Sequence, residues 1–274
     1  MADINLREIS TKNKRLKKVK LTPVQIPRNV EIEFHAQIRA YNQQFKETIR
    51  NELLPIIQKY SNMTSDGIAD DINAAIEAVK QKFNYTAIAK TIATNMVTRV
   101  ATLNGNKTTA AVQNALGVDL KNIIQSENLS DFVEMQIVKN AELIKSVPQE
   151  SLEDIRRIIF NGLSSGIRYE ELASAIAGHN SSSVFNKMNV RIKTIARTEV
   201  AKINSQIANK RLSNLGIEKA VWNATGDSRT RPCHEKRDGK EYLISEGLYS
   251  SCDGLTIQPG QEINCRCVAV PVVE

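Results

Sequence analysis

The 274-residue chain has few aromatic residues, few histidines and few cysteines, and each shortage limits the classes of fold and of functional site that it can have. Aromatic residues make up 5% of the sequence, which favours a helical protein built on small and aliphatic side chains. With only three histidines, a His-rich catalytic run or a paired-histidine nuclease site is not expected. No apolar run approaches the roughly 18 residues that a membrane-spanning helix needs. A glycine-rich phosphate loop is also absent from the sequence.

The N-terminal segment offers no hydrophobic stretch of the kind that a signal peptide requires. We therefore expect a cytosolic product. Thiols start reduced in that compartment, which favours metal binding or free thiols over disulfides.

The net charge of +7 is concentrated near the N-terminus. Residues 1–30 contain eight basic and two acidic residues, so the rest of the chain is close to neutral. Pro23 and Pro27 close this segment. We predict a flexible basic arm that contacts nucleic acid or an acidic protein surface, the alternative being a solvated tail. The residues expected to make the contact are Lys12, Lys14, Arg15, Lys17, Lys18 and Lys20.

Apolar residues recur at spacings of three and four from about residue 29 to residue 215, which predicts a nearly all-helical body. Pro55 should end or kink the first helix near Leu54, and Pro148 should separate two later helices. Asn104 and Gly105 indicate a turn. The run Ser181-Ser-Ser183 should cap the start of a long helix that Gly216 ends.

The character of the chain changes after Gly216. Residues 220–222 and 267–273 have the pattern of strands, and the residues between them are rich in loop and turn signals. The fold class is therefore mainly α, with a helical body followed by a small α+β C-terminal module that has few short strands and long loops. We divide the chain into the basic arm at 1–30, a helical domain at 31–150 and a C-terminal domain at 151–274.

All four cysteines lie in the last 42 residues of the chain. Zinc takes four thiolate or imidazole ligands in a tetrahedron, and three separated segments of this module supply such a set. The candidate zinc ligands are His234, Cys252, Cys265 and Cys267, with Cys233 as a substitute. The alternatives are disulfides, or free thiols beside a hydrogen-bonded histidine.

A cluster of charged residues connects the predicted long helix with the loop module. Arg197 and Glu199 lie in the helix, whereas Asp227, Arg229 and Arg231 crowd one turn of the loops. One interpretation is a general base with an anion clamp; the other is an ion-pair network that holds helix and loops together. Carboxylates and guanidinium groups are nearly balanced in number and no activated nucleophile is visible, so we favour the network and do not expect an enzyme.

The order of these pieces resembles the phage Mu F-like family of minor head proteins, over roughly residues 151–274. The resemblance rests on Ile195-Ala-Arg-Thr-Glu199, Trp222, Asp227-x-Arg-Thr-Arg231, His234, Asp238-Gly239, Pro259-Gly260 and Asn264-Cys-Arg-Cys267. The motif residues that it singles out are Arg197, Glu199, Asp227, Arg229, Arg231, Asp238, Gly239, Asn264 and Arg266. The chain lacks the Cys-x-x-Cys and the His-x-x-Cys-x-Cys of many members, so two potential metal ligands are missing.

The resemblance implies a tailed-bacteriophage minor head protein that acts in head morphogenesis at or near the portal. Its partners would be the portal protein and the major capsid or scaffold proteins, with DNA as a further contact of the arm and no membrane. Its place would be the virion, in the capsid interior or at the portal vertex. The alternatives are a DNA-binding accessory protein that works through the arm, and a zinc-bearing nuclease or toxin-like enzyme.

Overall fold

A computed structural model describes residue 6 and residues 18–60, 68–82 and 85–274 of the chain. It confirms a mainly helical protein followed by a small C-terminal sheet module. The helices are α1 (Arg28–Thr48), α2 (Leu54–Tyr60), α3 (Ile68–Lys82), α4 (Tyr85–Leu116), α5 (Lys121–Ser126), α6 (Ser130–Ser164), α7 (Tyr169–Ala177), α8 (Val184–Asn214) and α9 (Pro232–Glu235). The strands are β1 (Val19–Lys20), β2 (Lys219–Asn223), β3 (Glu241–Leu243), β4 (Leu248–Ser250), β5 (Leu255–Ile257) and β6 (Val268–Val273).

The turn predicted at Asn104 and Gly105 is wrong, because α4 runs through both residues. The buried Asn104 amide donates to the carbonyl and side-chain oxygens of Asn204, at 3.0 and 2.9 Å. A side chain at Gly105 would meet the Ile124 side chain at 2.9 Å, so glycine here permits close packing of helix against helix. Tertiary contacts therefore outweigh the weak helix propensity of both residues.

The two prolines of the helical region behave differently. A π-helical turn (Ile49–Leu53) joins α1 to α2, so the hydrogen-bond spacing changes just before Pro55, but the helical backbone does not end near Leu54. Pro148, by contrast, lies inside α6 and does not separate two helices. The helix buries Ile144 and Val147 before the proline and Leu152 after it. Burial on both sides offsets a proline cost of about 3 kcal/mol.

The chain divides into two compact units. Unit 1 comprises Met1–Glu31, Met96–Gln136 and Arg197–Glu274, and unit 2 comprises Ile32–Asn95 and Ile137–Ala196. The borders predicted after residues 30 and 150 fall inside α1 and α6 and do not coincide with the ends of elements. The assignment of functional domains therefore stays a prediction.

Unit 1 contains an antiparallel four-stranded sheet in the order β1-β6-β2-β3, and a separate β4–β5 hairpin. The central pair, β2 and β6, aligns Val221 with Val270 and Trp222 with Ala269. Trp222, the only tryptophan of the chain, is fully buried in the apolar core of this unit. The strands predicted at 220–222 and 267–273 are thus the two central strands of the sheet.

The predicted flexible arm is too long at its C-terminal end, because residues 18–30 are built into unit 1. β1 pairs with β6, and the Leu21 N–H donates to the Pro271 carbonyl at 2.9 Å. Lys18, predicted to contact nucleic acid or a partner, instead pairs with Glu241 at 2.6 Å and with Glu274 at 3.1 Å. Lys20 is exposed in β1. The remaining predicted contact residues, Lys12, Lys14, Arg15 and Lys17, lie outside the described residues.

All regular secondary structure in the described residues of unit 2 is helical. Gly162 allows α6 to approach α7, because a side chain there would come within 2.2 Å of Leu172. The Ser183 hydroxyl accepts the Asn186 N–H at 3.4 Å, so a serine of the predicted run does cap α8. None of the described helices combines the length and the apolarity that a membrane crossing requires.

Candidate functional site

A buried cluster of one imidazole and two thiols lies beside the central strands of unit 1. His234 belongs to the short helix α9, which begins at Pro232, and its ring stands edge-on to Trp222 with the ring centroids 5.5 Å apart. Cys265 and Cys267 come just before β6, and all three side chains are 3–4% exposed. Helix α9 and the approach to strand β6 thus bring a histidine and two cysteines that are more than 30 positions away from it into one site.

The same nitrogen of His234 faces both sulfur atoms. Its Nδ1 lies 3.6 Å from the Cys265 Sγ and 3.4 Å from the Cys267 Sγ. The other ring nitrogen, Nε2, donates a hydrogen bond to the Glu262 carboxylate. Arg231 donates to the same carboxylate at 3.2 Å. Because a carboxylate only accepts, this contact places the ring proton on Nε2 and leaves a lone pair on Nδ1 that points at the thiols.

This arrangement fits a metal ion. The three ligand atoms lie within 4.8 Å of one another. Metal-binding histidines commonly donate their second ring nitrogen to a carboxylate, as His234 does to Glu262, and this contact fixes the ring and the tautomer. The Gly260 N–H donates to the Cys265 sulfur at 3.3 Å, which stabilises negative charge there. Two thiolates and an imidazole nitrogen are the donor types that zinc prefers.

The electrostatics of the cluster favour one thiolate. The hydrogen bond with Cys267 lowers the pKa of the Cys265 thiol, and the bond with His234 adds to this effect. The same bond with Cys265 raises the pKa of Cys267, and burial adds to this rise. The hydrogen bond with Cys265 also raises the pKa of His234. Of the two thiols, Cys265 therefore loses its proton first as the pH rises.

Cys252 does not belong to this cluster, so its prediction as a metal ligand is wrong. It forms a disulfide with Cys233, with an S–S distance of 2.08 Å and a Cα–Cα distance of 5.4 Å. Cys233 is therefore not a substitute ligand either. The predicted preference for metal or free thiols holds for Cys265 and Cys267, which are free, and fails for this pair. The adjacent side chains of Cys233 and His234 diverge, so that the first meets Cys252 and the second meets the other two cysteines.

The charged motif residues form several separate contacts. Both nitrogens of the Arg266 fork donate to the Asp227 carboxylate, at 2.5 and 2.6 Å. This pair lowers the pKa of Asp227. Arg229 reaches the same carboxylate at 3.3 Å, and Arg231 binds Glu262 and the Ile263 carbonyl. The guanidinium groups of this module thus contact nearby carboxylates.

Arg197 and Glu199 have partners outside this group in the described residues. Arg197 pairs with Glu31 at 3.5 Å, and Glu199 pairs with Lys202 at 3.2 Å. The residue between them makes the contact with the loops: the Thr198 hydroxyl accepts the Asn264 N–H at 3.0 Å. The predicted charged link between helix and loops is therefore made here by a hydroxyl.

The loop around Pro259 and Gly260 packs on the same face of α8. Ser205 donates to the Pro259 carbonyl, and a side chain at Gly260 would lie 3.2 Å from the Ala201 carbonyl oxygen. Thr198, Ala201 and Ser205 share one helix face by their spacing. Gly260 also has a φ of +84°, and Asn264 has a φ of +58°, so both motif positions need a left-handed backbone.

Asp238 and Gly239 connect α9 to the sheet. The Asp238 carboxylate accepts the Ala224 N–H at 2.7 Å, and the Gly239 N–H donates to the Trp222 carbonyl at 2.9 Å. Gly239 has a φ of +73°, which glycine adopts without strain. These two motif residues therefore shape the backbone around Trp222.

Sequence reasoning missed two residues that support this site. Glu262 orients His234, and its position three residues before Cys265 is the one local hint. Arg237 is fully buried, with its guanidinium 5.4 Å from the centre of the Trp222 ring, and it binds Asp253 through two hydrogen bonds of 2.9 Å. Nothing in the local sequence pattern marks Arg237, because its partner lies 16 residues away.

Comparisons with known proteins find a family model that matches the C-terminal part of the chain. The sequence profile described as phage Mu protein F like protein matches residues 153–270. An uncharacterized protein of Haemophilus influenzae is 25% identical over 99% of this chain and 59% of its own length. NAD(+)–arginine ADP-ribosyltransferase EFV of Enterococcus faecalis is 31% identical over 46% of this chain and 26% of its own length. Minor head protein GP7 of Bacillus phage SPP1 is 29% identical over 46% of this chain and 42% of its own length.

The chain thus spans about a quarter to three fifths of the length of these relatives. No solved structure matches it. The family model matches residues 153–270, which confirms the resemblance drawn from the motifs between Ile195 and Cys267.

Proposed function

We propose that this protein is a bacteriophage minor head protein that acts in head morphogenesis at or near the portal, as a structural component of the virion. The family match over residues 153–270 and the similarity to minor head protein GP7 support this role. By this proposal its partners are the portal protein and the major capsid or scaffold proteins.

A structural role is supported by the contacts that the motif residues make with one another and with their neighbours. Asp227 and Arg266 bind each other, Arg231 binds Glu262, and Thr198 holds the loop at Asn264. A catalytic site needs polar groups aimed at a substrate. Most of the motif groups described here are instead aimed at one another, as expected of a framework that keeps a loop-rich module in shape.

A metal ion extends this framework in our proposal. His234, Cys265 and Cys267 hold one zinc, and Glu262 orients the histidine. Structural zinc contributes directly to the stability of small loop-rich modules, because ligands from distant segments are tied to one point. Three protein ligands leave the fourth tetrahedral position to a water molecule or another group.

The basic arm is the part of the chain that we propose to touch packaged DNA. Residues 1–17 contain Arg7, Lys12, Lys14, Arg15 and Lys17, and phosphate contacts by such side chains depend strongly on salt. Lys18 belongs to the arm predicted from the sequence, but it pairs with Glu241 inside unit 1. We therefore assign the proposed DNA contact to the residues before Lys18.

Quantitative mass spectrometry of purified particles of the encoding phage tests the head role. We expect the protein in DNA-filled heads, at a few copies per portal, and absent from isolated tails. Heads made without the gene should be defective in assembly or DNA filling, and the intact gene supplied in trans should restore them. Normal heads that lack the protein would contradict the proposal.

The relative named as an ADP-ribosyltransferase suggests a second candidate, an enzyme. The match covers 26% of that protein, so the named activity can reside in the part that this chain does not share. Incubation of the purified chain with labelled NAD⁺ and an arginine-containing acceptor separates the two. Transfer of label to the acceptor would favour the enzyme; an unlabelled acceptor, with the protein present in heads, favours the structural role.

A further inference from the structure

An open pocket of about 340 Å³ lies within unit 1, beside the cysteine cluster. Four segments line it. They are residues 25–31, which lead into and begin α1, residues 197–201 of α8, residues 223–225 at the end of β2, and residues 265–268 at the start of β6. The pocket therefore lies against the motif segments around Arg197 and Arg266, although neither the family match nor the metal cluster assigns it a role.

The pocket carries an excess of positive charge. Arg28, Arg197 and Arg266 line it together with one carboxylate, Glu31. Glu31 contacts Arg197 at 3.5 Å and Arg28 at 3.7 Å, both of which are long for an ion pair. Arg266 is already occupied by Asp227, which does not line the pocket.

Arg197 has unused hydrogen-bonding capacity. Its Nε is shielded from solvent and donates no hydrogen bond to any described residue, although the side chain as a whole is 25% exposed. A buried donor without an acceptor is unfavourable, so the Arg197 guanidinium can donate hydrogen bonds to two oxygens of an incoming group. Arginine binds carboxylates and phosphates in this two-point manner.

The remaining lining decides between these two kinds of group. The lining includes four aliphatic residues, Ile26, Ala201, Ala224 and Val268, and three polar uncharged ones, Gln25, Asn223 and Thr225, but no aromatic residue. A nucleotide base would find no ring to stack on. An aliphatic side chain next to a carboxylate, by contrast, complements the pocket: the aliphatic part matches the aliphatic lining residues, and the carboxylate matches the arginines.

We propose that this pocket binds an acidic side chain of a partner protein, together with a neighbouring aliphatic residue. Glu31 lies beside Arg28 and Arg197 in the free protein at long ion-pair distances, and the incoming carboxylate competes with it. Because the competition is electrostatic, removal of the Glu31 charge should strengthen binding while removal of the Arg197 fork should weaken it. The proposal concerns a recognition pocket and holds whether or not the protein acts in phage heads.

The test is a titration of the full chain, followed through the backbone amide signals of Ala201 and Thr225 in nuclear magnetic resonance spectra. The probe is acetyl-Leu-Glu-amide, and its matched control is acetyl-Leu-Gln-amide. We expect a saturable shift with the Glu peptide at millimolar concentration, and binding of the Gln peptide at least about tenfold weaker, since an arginine fork favours a charged acceptor.

Two variants give opposite expected results. Arg197→Gln should weaken binding of the Glu peptide by about tenfold or more, whereas Glu31→Gln should tighten it about three- to tenfold, since one competing charge is lost. Arg157→Gln is the control, because Arg157 is an exposed arginine of α6 whose side chain is 70% accessible, and it should change nothing.

Equal binding of the two peptides, or no saturable shift, would overturn the proposal. A stronger response to inorganic phosphate than to the Glu peptide would also overturn it and assign the pocket to a free oxyanion. If Arg197→Gln does not fold, Glu31→Gln decides alone: weaker binding by this variant contradicts the competition that the proposal requires.

Discussion

Replacement of Arg237 by methionine should destabilise unit 1 by about 3 kcal/mol. The side chain is fully buried and donates to the Leu248 and Leu255 carbonyls, at 3.1 and 2.8 Å, in addition to the two bonds to Asp253. Loss of one partner of a buried ion pair costs about 3–5 kcal/mol. The lower end applies, because the Asp253 side chain is 21% exposed and water can rehydrate it.

Urea unfolding followed by fluorescence measures this effect within unit 1, because the chain has a single tryptophan and Trp222 lies beside the guanidinium. With a urea dependence of about 2 kcal/mol per molar, the midpoint should fall by about 1.5 M. Arg229→Met is the matched control: that side chain is 71% exposed and pairs with Asp227 two residues away, so its effect should stay below about 0.5 kcal/mol. Equal midpoints for the two variants would refute the reasoning.

Four further predictions concern the same unit and the arm. Protein purified without chelator should contain about one equivalent of zinc, which His234→Ala should abolish and Cys252→Ser should leave unchanged, as elemental analysis can show. Pairing with Arg237 lowers the pKa of Asp253, so its stabilisation is present above the unfolded pKa of about 3.9 and is lost as the pH falls through the folded pKa; acid unfolding curves of Asp253→Asn should lack this component. Asn264→Ala should cost about 1–2 kcal/mol in urea unfolding, while Asn264→Gly should be nearly neutral, because the backbone is left-handed there. Glutamine at Lys12, Lys14, Arg15 and Lys17 should flatten the salt dependence of DNA binding, in which log affinity otherwise falls with log salt with a slope of about −0.9 per phosphate contact; an unchanged slope would leave the arm without a role in DNA binding.

The sequence predicts the elements whose signals are local. Residues 220–222 and 267–273 read as strands because their apolar side chains favour extended backbone, and the structure pairs them at the centre of the sheet. The signals that begin and end α8 are also local, because Ser183 caps the helix and Gly216 follows its last residues.

Predictions fail where the deciding partner is distant in sequence. Asn104 carries a turn signal, yet its amide is satisfied by Asn204, 100 residues away. Cys252 has the chemistry of a zinc ligand, yet its distance from Cys233 makes it a disulfide partner. The other three predicted metal ligands, His234, Cys265 and Cys267, do lie next to one another. Cys265 and Cys267 are close partly because only one residue separates them in the sequence.

Among the contacts that attach the β4–β5 region to the rest of unit 1, two neighbouring ones differ in their chemistry. The disulfide at Cys252 opens under reducing conditions, whereas the ion pair at Asp253 is indifferent to reductant and opens in acid. The two attachments lie at adjacent residues, so reduction alone or acid alone leaves one of them in place.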